Sequence, residues 1–214
     1  MDRAFVIAID GPAASGKGTL ARKLAARFDL AHLDSGALYR AVGRDTIAAG
    51  HDPGDAKAAA EAARRLDPAT LGDPALRGEV AGRAASVVAA HPSVRAALLD
   101  FQRAFAARPP GAVLDGRDIG TVVCPNADVK LFVVADVAAR AERRFKELQD
   151  KGDQTSCDAV LADLMNRDAR DSERVAAPLK PAEDSVLLDT TELDIDQAFA
   201  AAAAIVEARR AAGS

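Results

Sequence analysis

Ala4-Phe5-Val6-Ile7-Ala8-Ile9-Asp10-Gly11-Pro12-Ala13-Ala14-Ser15-Gly16-Lys17-Gly18-Thr19 is the stretch from which the fold of this chain can be read. Its first six residues are a continuous apolar run, as a strand buried on both faces requires, and a helix is expected over Thr19–Phe28. Between them Gly11 and Gly16 bracket four residues and lead straight into Lys17, so strand, glycine-framed loop and helix follow in that order.

That order has a chemical consequence. Glycines let the loop curl until consecutive N–H groups converge on one anion at the positive end of the following helix. Gly11, Pro12, Ala13, Ala14, Ser15, Gly16, Lys17, Gly18 and Thr19 are therefore the expected ATP-binding set, with Lys17 a point charge at the β- and γ-phosphates and the expected catalytic lysine. The residue after such a lysine is ordinarily a Ser or Thr that ligates magnesium, whereas here Gly18 intervenes before Thr19. A dinucleotide-binding loop is disfavoured because Gly16 and Gly18 lack a third glycine three residues on.

Working outward, the same punctuation recurs. Ala112-Val113-Leu114 precedes Asp115-Gly116, Val129–Val134 precedes a helix from about Asp136, Val186-Leu187-Leu188 precedes Asp189, and the weaker run Leu30–Leu33 precedes a helix ending near Gly50. Strands alternating with helices predict an α/β, three-layer P-loop fold on a five-stranded parallel sheet. Residues 51–92 break the pattern with alanine-rich helix fragments interrupted by Pro53-Gly54, Asp67-Pro68, Gly72-Asp73-Pro74 and Gly78. They are expected to form a small insertion in a core of residues 1–50 and 93–214, and a charged turn around Asp150–Gln154 is expected to tip a short lid spanning about 145–157.

Composition narrows the function. The formal charge of −4 argues against a nucleic-acid binder, so any bound anion must meet locally clustered arginines. The longest apolar runs fall well short of the roughly 18 residues of a membrane span, and the N-terminal run ends at Asp10-Gly11-Pro12 rather than at a signal-peptide cleavage site. Cys124 and Cys157 lack the spacing of a zinc site or redox dithiol. A cytoplasmic protein is expected, a monomer by default.

The acceptor side is written less plainly. Asp34-Ser35-Gly36-Ala37-Leu38-Tyr39-Arg40 places a hydroxyl and free N–H groups at a helix start, with Arg40 about a turn and a half on. Asp115-Gly116-Arg117-Asp118-Ile119-Gly120-Thr121 lies at the carboxyl end of a predicted strand, where open parallel sheets bind ligands. Arg167, Arg170, Asp171 and Arg174 follow the apolar Leu161 and Leu164 at helical spacing, and Arg140, Arg143 and Arg144 repeat it. Spacing alone equally describes solvated, salt-bridged helix faces.

Taken together, Gly11–Thr19, Asp34–Arg40, Asp115–Thr121 and Arg167–Arg174 followed by Ala177-Pro178-Leu179 resemble bacterial cytidylate kinases of the nucleoside-monophosphate kinase group. The Gly-Lys-Gly-Thr form of the loop is that group's. The resemblance implies ATP-dependent phosphorylation of CMP and dCMP. It makes Ser35, Arg95, Arg117 and Asp118 the readers of cytosine, with Ser86 a further one, Arg167 and Asp171 the holders of the sugar, and Arg40 and Arg174 neighbours of the acceptor phosphate or base. It also implies that the insertion is reduced, with Leu76–Val80 as its remnant.

An acceptor phosphate is already an anion and needs no general base, so catalysis would rest on charge and alignment: Lys17 with Arg140, Arg143, Arg144 or Arg170 of the lid helices. Magnesium would arrive as Mg-ATP, held largely through waters, with Thr19 or Asp115 nearby and no direct protein ligand assigned. The competing readings are a kinase of UMP, AMP or another small molecule, and a regulatory nucleotide switch, against which Gly18 stands in place of the switch's magnesium hydroxyl.

Overall fold

The computed structural model describes residues 3–150 and 152–213, without the side chains of Arg77 and Glu79. Lys151 of the expected lid turn, and those two side chains of the expected insertion remnant, lie outside the described residues. Five strands, β1 (Phe5–Asp10), β2 (Ala31–Asp34), β3 (Gly111–Gly116), β4 (Val129–Val134) and β5 (Val186–Asp189), form one sheet in the order β2-β3-β1-β4-β5, every pair parallel. The expected sheet is present, with β1 and β3 each running on into the residues read as loop.

Alternation along the strands explains the three layers. Ile7, Ile9, Val113, Leu131 and Val133 cluster with Leu20 and Leu24 of α1 (Lys17–Phe28) and Ala202 and Val206 of α8 (Ile195–Gly213). Ala8, Ala112 and Leu114 cluster instead with Leu38 and Val42 of α2 (Ser35–Ala48) and Val94 and Leu98 of α5 (Pro92–Ala106). Leu24 and Leu98 are almost wholly buried, so truncating either to Ala would cost about 2–5 kcal/mol.

Helix α1 begins at Lys17, two residues earlier than expected, because Gly16 at φ 83° turns the loop directly into the helix and its carbonyl accepts from Thr19 N and Leu20 N at 3.1 Å. Residues 51–92 hold α3 (Ala56–Arg64), two 3-10 turns (Pro68–Gly72 and Pro74–Arg77) and α4 (Glu79–Val88), with no strand among the described residues. Asp55, Asp67 and Asp73 each cap the element that follows them, two of which begin at proline, so the breakers noted in the sequence serve as starts. Helix α4 packs against α2 through small residues: a Cβ at Gly43 would lie 2.7 Å from Ala84 Cβ and 3.1 Å from its carbonyl carbon. Helices α6 (Val137–Gln149) and α7 (Cys157–Glu173) form a hairpin whose Ala141, Leu148, Val160 and Leu164 bury against Ala13 of the loop after β1.

Candidate active site

The carboxyl ends of the strands supply the floor of the site. β1, β2 and β5 end on Asp10, Asp34 and Asp189, while in β3 Asp115 is followed by Gly116. Register sets Asp34 opposite Asp115 and Asp10 opposite Gly116. Loop Gly11–Gly16 rises from β1 under tight constraint. Gly11 has φ 156°, and a Cβ there would lie 2.1 Å from Val133 O, so only glycine passes beside β4. Ala14 accepts the left-handed region at φ 57°.

Outside groups hold the loop's carbonyls: Arg140 Nη1 donates to Ala13 O at 3.0 Å and Thr190 Oγ1 to Ser15 O at 3.4 Å. Lys17 Nζ donates to Pro12 O at 2.9 Å across the loop. Burial, with the Arg117 guanidinium nearby, pushes the Lys17 ammonium down to about 7, although Asp115, Asp34 and Asp171 pull the other way. A phosphate at this position would restore the lysine's charge.

Loop and acceptor residues line one cavity of about 690 Å³, bounded by Ala13, Ala14, Lys17 and Gly18 at one end and by Ser35, Arg40, Ser86, Arg95, Arg117, Asp118, Arg167, Asp171 and Arg174 at the other. Every acceptor residue named from the sequence therefore reaches the same space, from α2, α4, α5, the β3 end and α7. The arginines arrive already paired. Asp118 receives Arg95 Nη2 in a short ion pair and has Arg174 at 3.6 Å, Arg117 Nε donates to Asp171 at 2.7 Å, and Arg40 Nη2 donates to Asp34 at 2.5 Å. Burial opposes ionisation of Asp171 and Asp34, but Arg117 and Arg40 respectively outweigh it and hold both carboxyls below their ordinary range. The Arg95 guanidinium also lies over the Tyr39 ring at 5.6 Å.

Among the described residues, several polar atoms at this end are buried without a hydrogen-bond partner: Ser86 Oγ, Arg40 Nε and Arg174 Nη2. Buried polar groups are normally satisfied, so such atoms beside a cavity suit a polar ligand. Ser35 differs, its hydroxyl donating to Asp115 O at 2.8 Å.

The arginines expected of a lid separate. Arg144 lines the cavity, with Glu147 at 3.0 Å. Arg140 is buried away from it, its guanidinium engaged by Ala135 O, Ala13 O and the Asp168 carboxylate. Arg143 donates to Thr190 O and Thr191 O, and Arg170 is exposed on the outer side of α7 with its Nε on Asn166 O. Arg167, Asp171 and Arg174 thus share the inner face that spacing also allowed Arg170.

Sequence reasoning gave no role to three residues, His32 and Asp163 of the cavity lining and Asp10 at the end of β1. His32 Nε2 lies 2.8 Å from Asp115 Oδ1, and Asp163 stands between Arg83 Nε at 3.5 Å and Arg167 Nη1 at 3.7 Å. Asp10 accepts from Ile119 N at 2.8 Å and Gly120 N at 2.7 Å, and burial, with a smaller push from Asp118, raises its carboxyl to about 6. The one available signal was an acid closing an otherwise apolar strand.

Comparison with known proteins agrees with this geometry. The cytidylate kinase family model matches residues 7–208. A cytidylate kinase of Xanthobacter autotrophicus is 65% identical over 207 residues, covering 97% of this chain and 99% of that protein, and one of Azorhizobium caulinodans is 62% identical over 206 residues, covering 96% and 100%. Among solved structures, an uncharacterized protein from Eubacterium ventriosum shares the fold at TM-score 0.57 and 14% identity, covering 95% of this chain and 98% of that one. TT1252 from Thermus thermophilus does so at TM-score 0.50 and 21%, covering 97% and 98%. On a match running through nearly the whole chain and through both ends of the cavity, this protein belongs to the cytidylate kinase family.

Proposed function

We propose that the protein transfers the γ-phosphoryl group of ATP directly to the phosphate of CMP or dCMP, giving ADP and CDP or dCDP. The observation that carries this is the single cavity joining the Lys17 loop to a buried Arg95–Asp118–Arg174 group. A carboxylate accepts a hydrogen bond from the exocyclic amino group of cytosine, where uracil presents a carbonyl, so Asp118 favours one base.

In this reading the loop and Lys17 hold the ATP phosphates, Arg40 and Arg174 face the acceptor's phosphate or base, and Arg167 and Asp171 hold its sugar. Lys17 follows the transferred group, which passes in line between two anions without a covalent enzyme intermediate. Arg144 is the lid arginine placed to screen the developing charge, and Arg140 acts by fixing the donor loop. Residues 51–92 form the reduced acceptor-side insertion, and it and the α6–α7 lid close to keep water from the phosphoryl group.

Asp115 fits a magnesium ion arriving on ATP: it is buried, and its Oδ2 lies 3.6 Å from where a Cβ on Gly18 would stand, at the start of α1. Asp115 would accept from the waters of such an ion, whose charge would offset that of the β- and γ-phosphates.

Initial rates of ADP formation with Mg-ATP and CMP, dCMP, UMP or AMP test the reading, with Asp118→Asn beside the wild type. The amide can donate to the uracil carbonyl, so the preference for CMP over UMP should fall by roughly ten- to a hundredfold. Wild-type turnover on AMP alone, or hydrolysis of ATP without an acceptor, would overturn it.

A further inference from the structure

One residue joins the root of the donor loop to the turn after Asp118. Asp10 is the last residue of β1 and is bonded covalently to Gly11, where the donor loop begins. Its two oxygens accept from Ile119 N at 2.8 Å and Gly120 N at 2.7 Å, the residues that follow Asp118. Asp10 is 5% exposed and Ile119 is fully buried, so water cannot replace either bond.

We infer that Asp10 is a positioning residue for base selection: its two-bond fork fixes the backbone after Asp118 to the root of the donor loop and thereby sets where the Asp118 carboxylate meets the base. This rests on the reading of Asp118 as the base reader.

The segment around Asp118 is a single π turn, Ile119–Val123, closed by Val123 N on Asp118 O at 3.1 Å and Cys124 N on Ile119 O at 2.7 Å. So short a turn has little rigidity of its own. Its far end is held by Arg103, which donates to Val122 O at 3.0 Å and Val123 O at 3.1 Å, and on its near side Ser35 holds Asp115 O. Asp10 supplies the hold on the N–H groups immediately after the reader. Both of its oxygens are needed, because an amide in its place would offer one acceptor and turn an N–H₂ group against the other N–H. The fork can also be disturbed from its opposite side. A Cβ on Gly120 would lie 3.2 Å from the Lys130 Cδ methylene, closer than usual, with Asp10 Oδ2 at an ordinary 3.4 Å, so Gly120→Ala pushes Gly120 off the lysine stem and shifts its N–H in the fork while leaving Asp10 in place.

The test compares kcat/KM for CMP and UMP, and KM for ATP, in Asp10→Asn, Gly120→Ala, Asp118→Asn and the Asp10→Asn/Asp118→Asn double variant. The CMP:UMP preference should drop about tenfold in Asp10→Asn and about threefold in Gly120→Ala, with KM for ATP within about threefold of wild type. The double variant should be no less selective than Asp118→Asn alone, since a residue acting through another adds nothing once that other is replaced. A purely structural role would lower the unfolding midpoint but leave the base preference untouched, and a folded Asp10→Asn enzyme with the wild-type preference overturns the inference. If Asp10→Asn does not fold, an unchanged preference in Gly120→Ala overturns it. Additive losses in the double variant also overturn it. Full selectivity in Asp118→Asn would instead sink the base-reader reading itself.

Discussion

The two ends of the cavity are built on opposite plans. The donor end is one continuous stretch of chain in which backbone does the holding: glycine conformations at Gly11 and Gly16, carbonyls of Ala13 and Ser15 pinned from outside, and the loop's own cation, Lys17. The acceptor end is side chains from five elements, charge paired against charge, with Asp118, Asp171 and Asp34 each occupied by an arginine before any substrate is present. A backbone cradle recognises phosphate whatever carries it, whereas prepaired side chains distinguish one acceptor from another and can be altered singly. The contrast predicts that damage at the donor end removes turnover, and damage at the acceptor end changes choice.

The largest expected effect is at the donor end. Lys17→Ala should lower kcat by about two to three orders of magnitude in a protein that still folds, measured by coupled ADP release. Unchanged turnover would break the comparison at its strongest point. Next comes the base preference already described for Asp118→Asn, which belongs to choice and should leave KM for ATP near its wild-type value.

Arg140→Met sharpens the contrast, because that guanidinium serves the donor loop from the lid. It leaves Ala13 O unpinned and the half-buried Asp168 without its cation, so stability should fall by about 3 kcal/mol in urea unfolding, and KM for ATP should rise more than KM for CMP.

The smallest effect is a proton. Burial, with Arg117 beside it, pushes the Lys17 ammonium down to about 7, and a bound triphosphate would raise that value. The free lysine is charged below pH 7 and loses its proton above it, so binding takes up a proton there, and ATP affinity falls as pH rises. The drop between pH 7 and 8 should be roughly fivefold. Calorimetry in buffers of different ionisation heat reads the uptake directly, and proton release on binding would contradict the sign.

Legibility in the sequence follows the same division. Contiguity made the donor loop readable, since strand, glycines, lysine and helix sit side by side, and apolar runs placed all five strands to within a residue or two. Ser35, Arg117, Asp118 and Arg174 were found through short motifs resembling a family. Arg95 and Ser86 came by position alone, as nothing local sets either apart. The sidedness of α7 was unreadable because an i, i+3, i+4, i+7 set includes both Arg167, which faces the cavity, and Arg170, which does not. Asp10 and His32 were missed because their partners lie at least 83 residues away, a distance no spacing rule crosses, whereas Asp163 has Arg167 at i, i+4 and only its contact with Arg83 of α4 is non-local.

The seam between α2 and α4 works like the stop on a calliper. Ser86, one jaw, rides on α4, and Ser35 and Arg40, the other, ride on α2. What sets the gap is a hydrogen atom, since Gly43 meets Ala84 where even a methyl group would strike backbone. The approach of α4 to α2 is therefore written at a position outside the cavity lining, and any larger residue at Gly43 must push the helix of Ser86 away from the helix of Ser35 and Arg40.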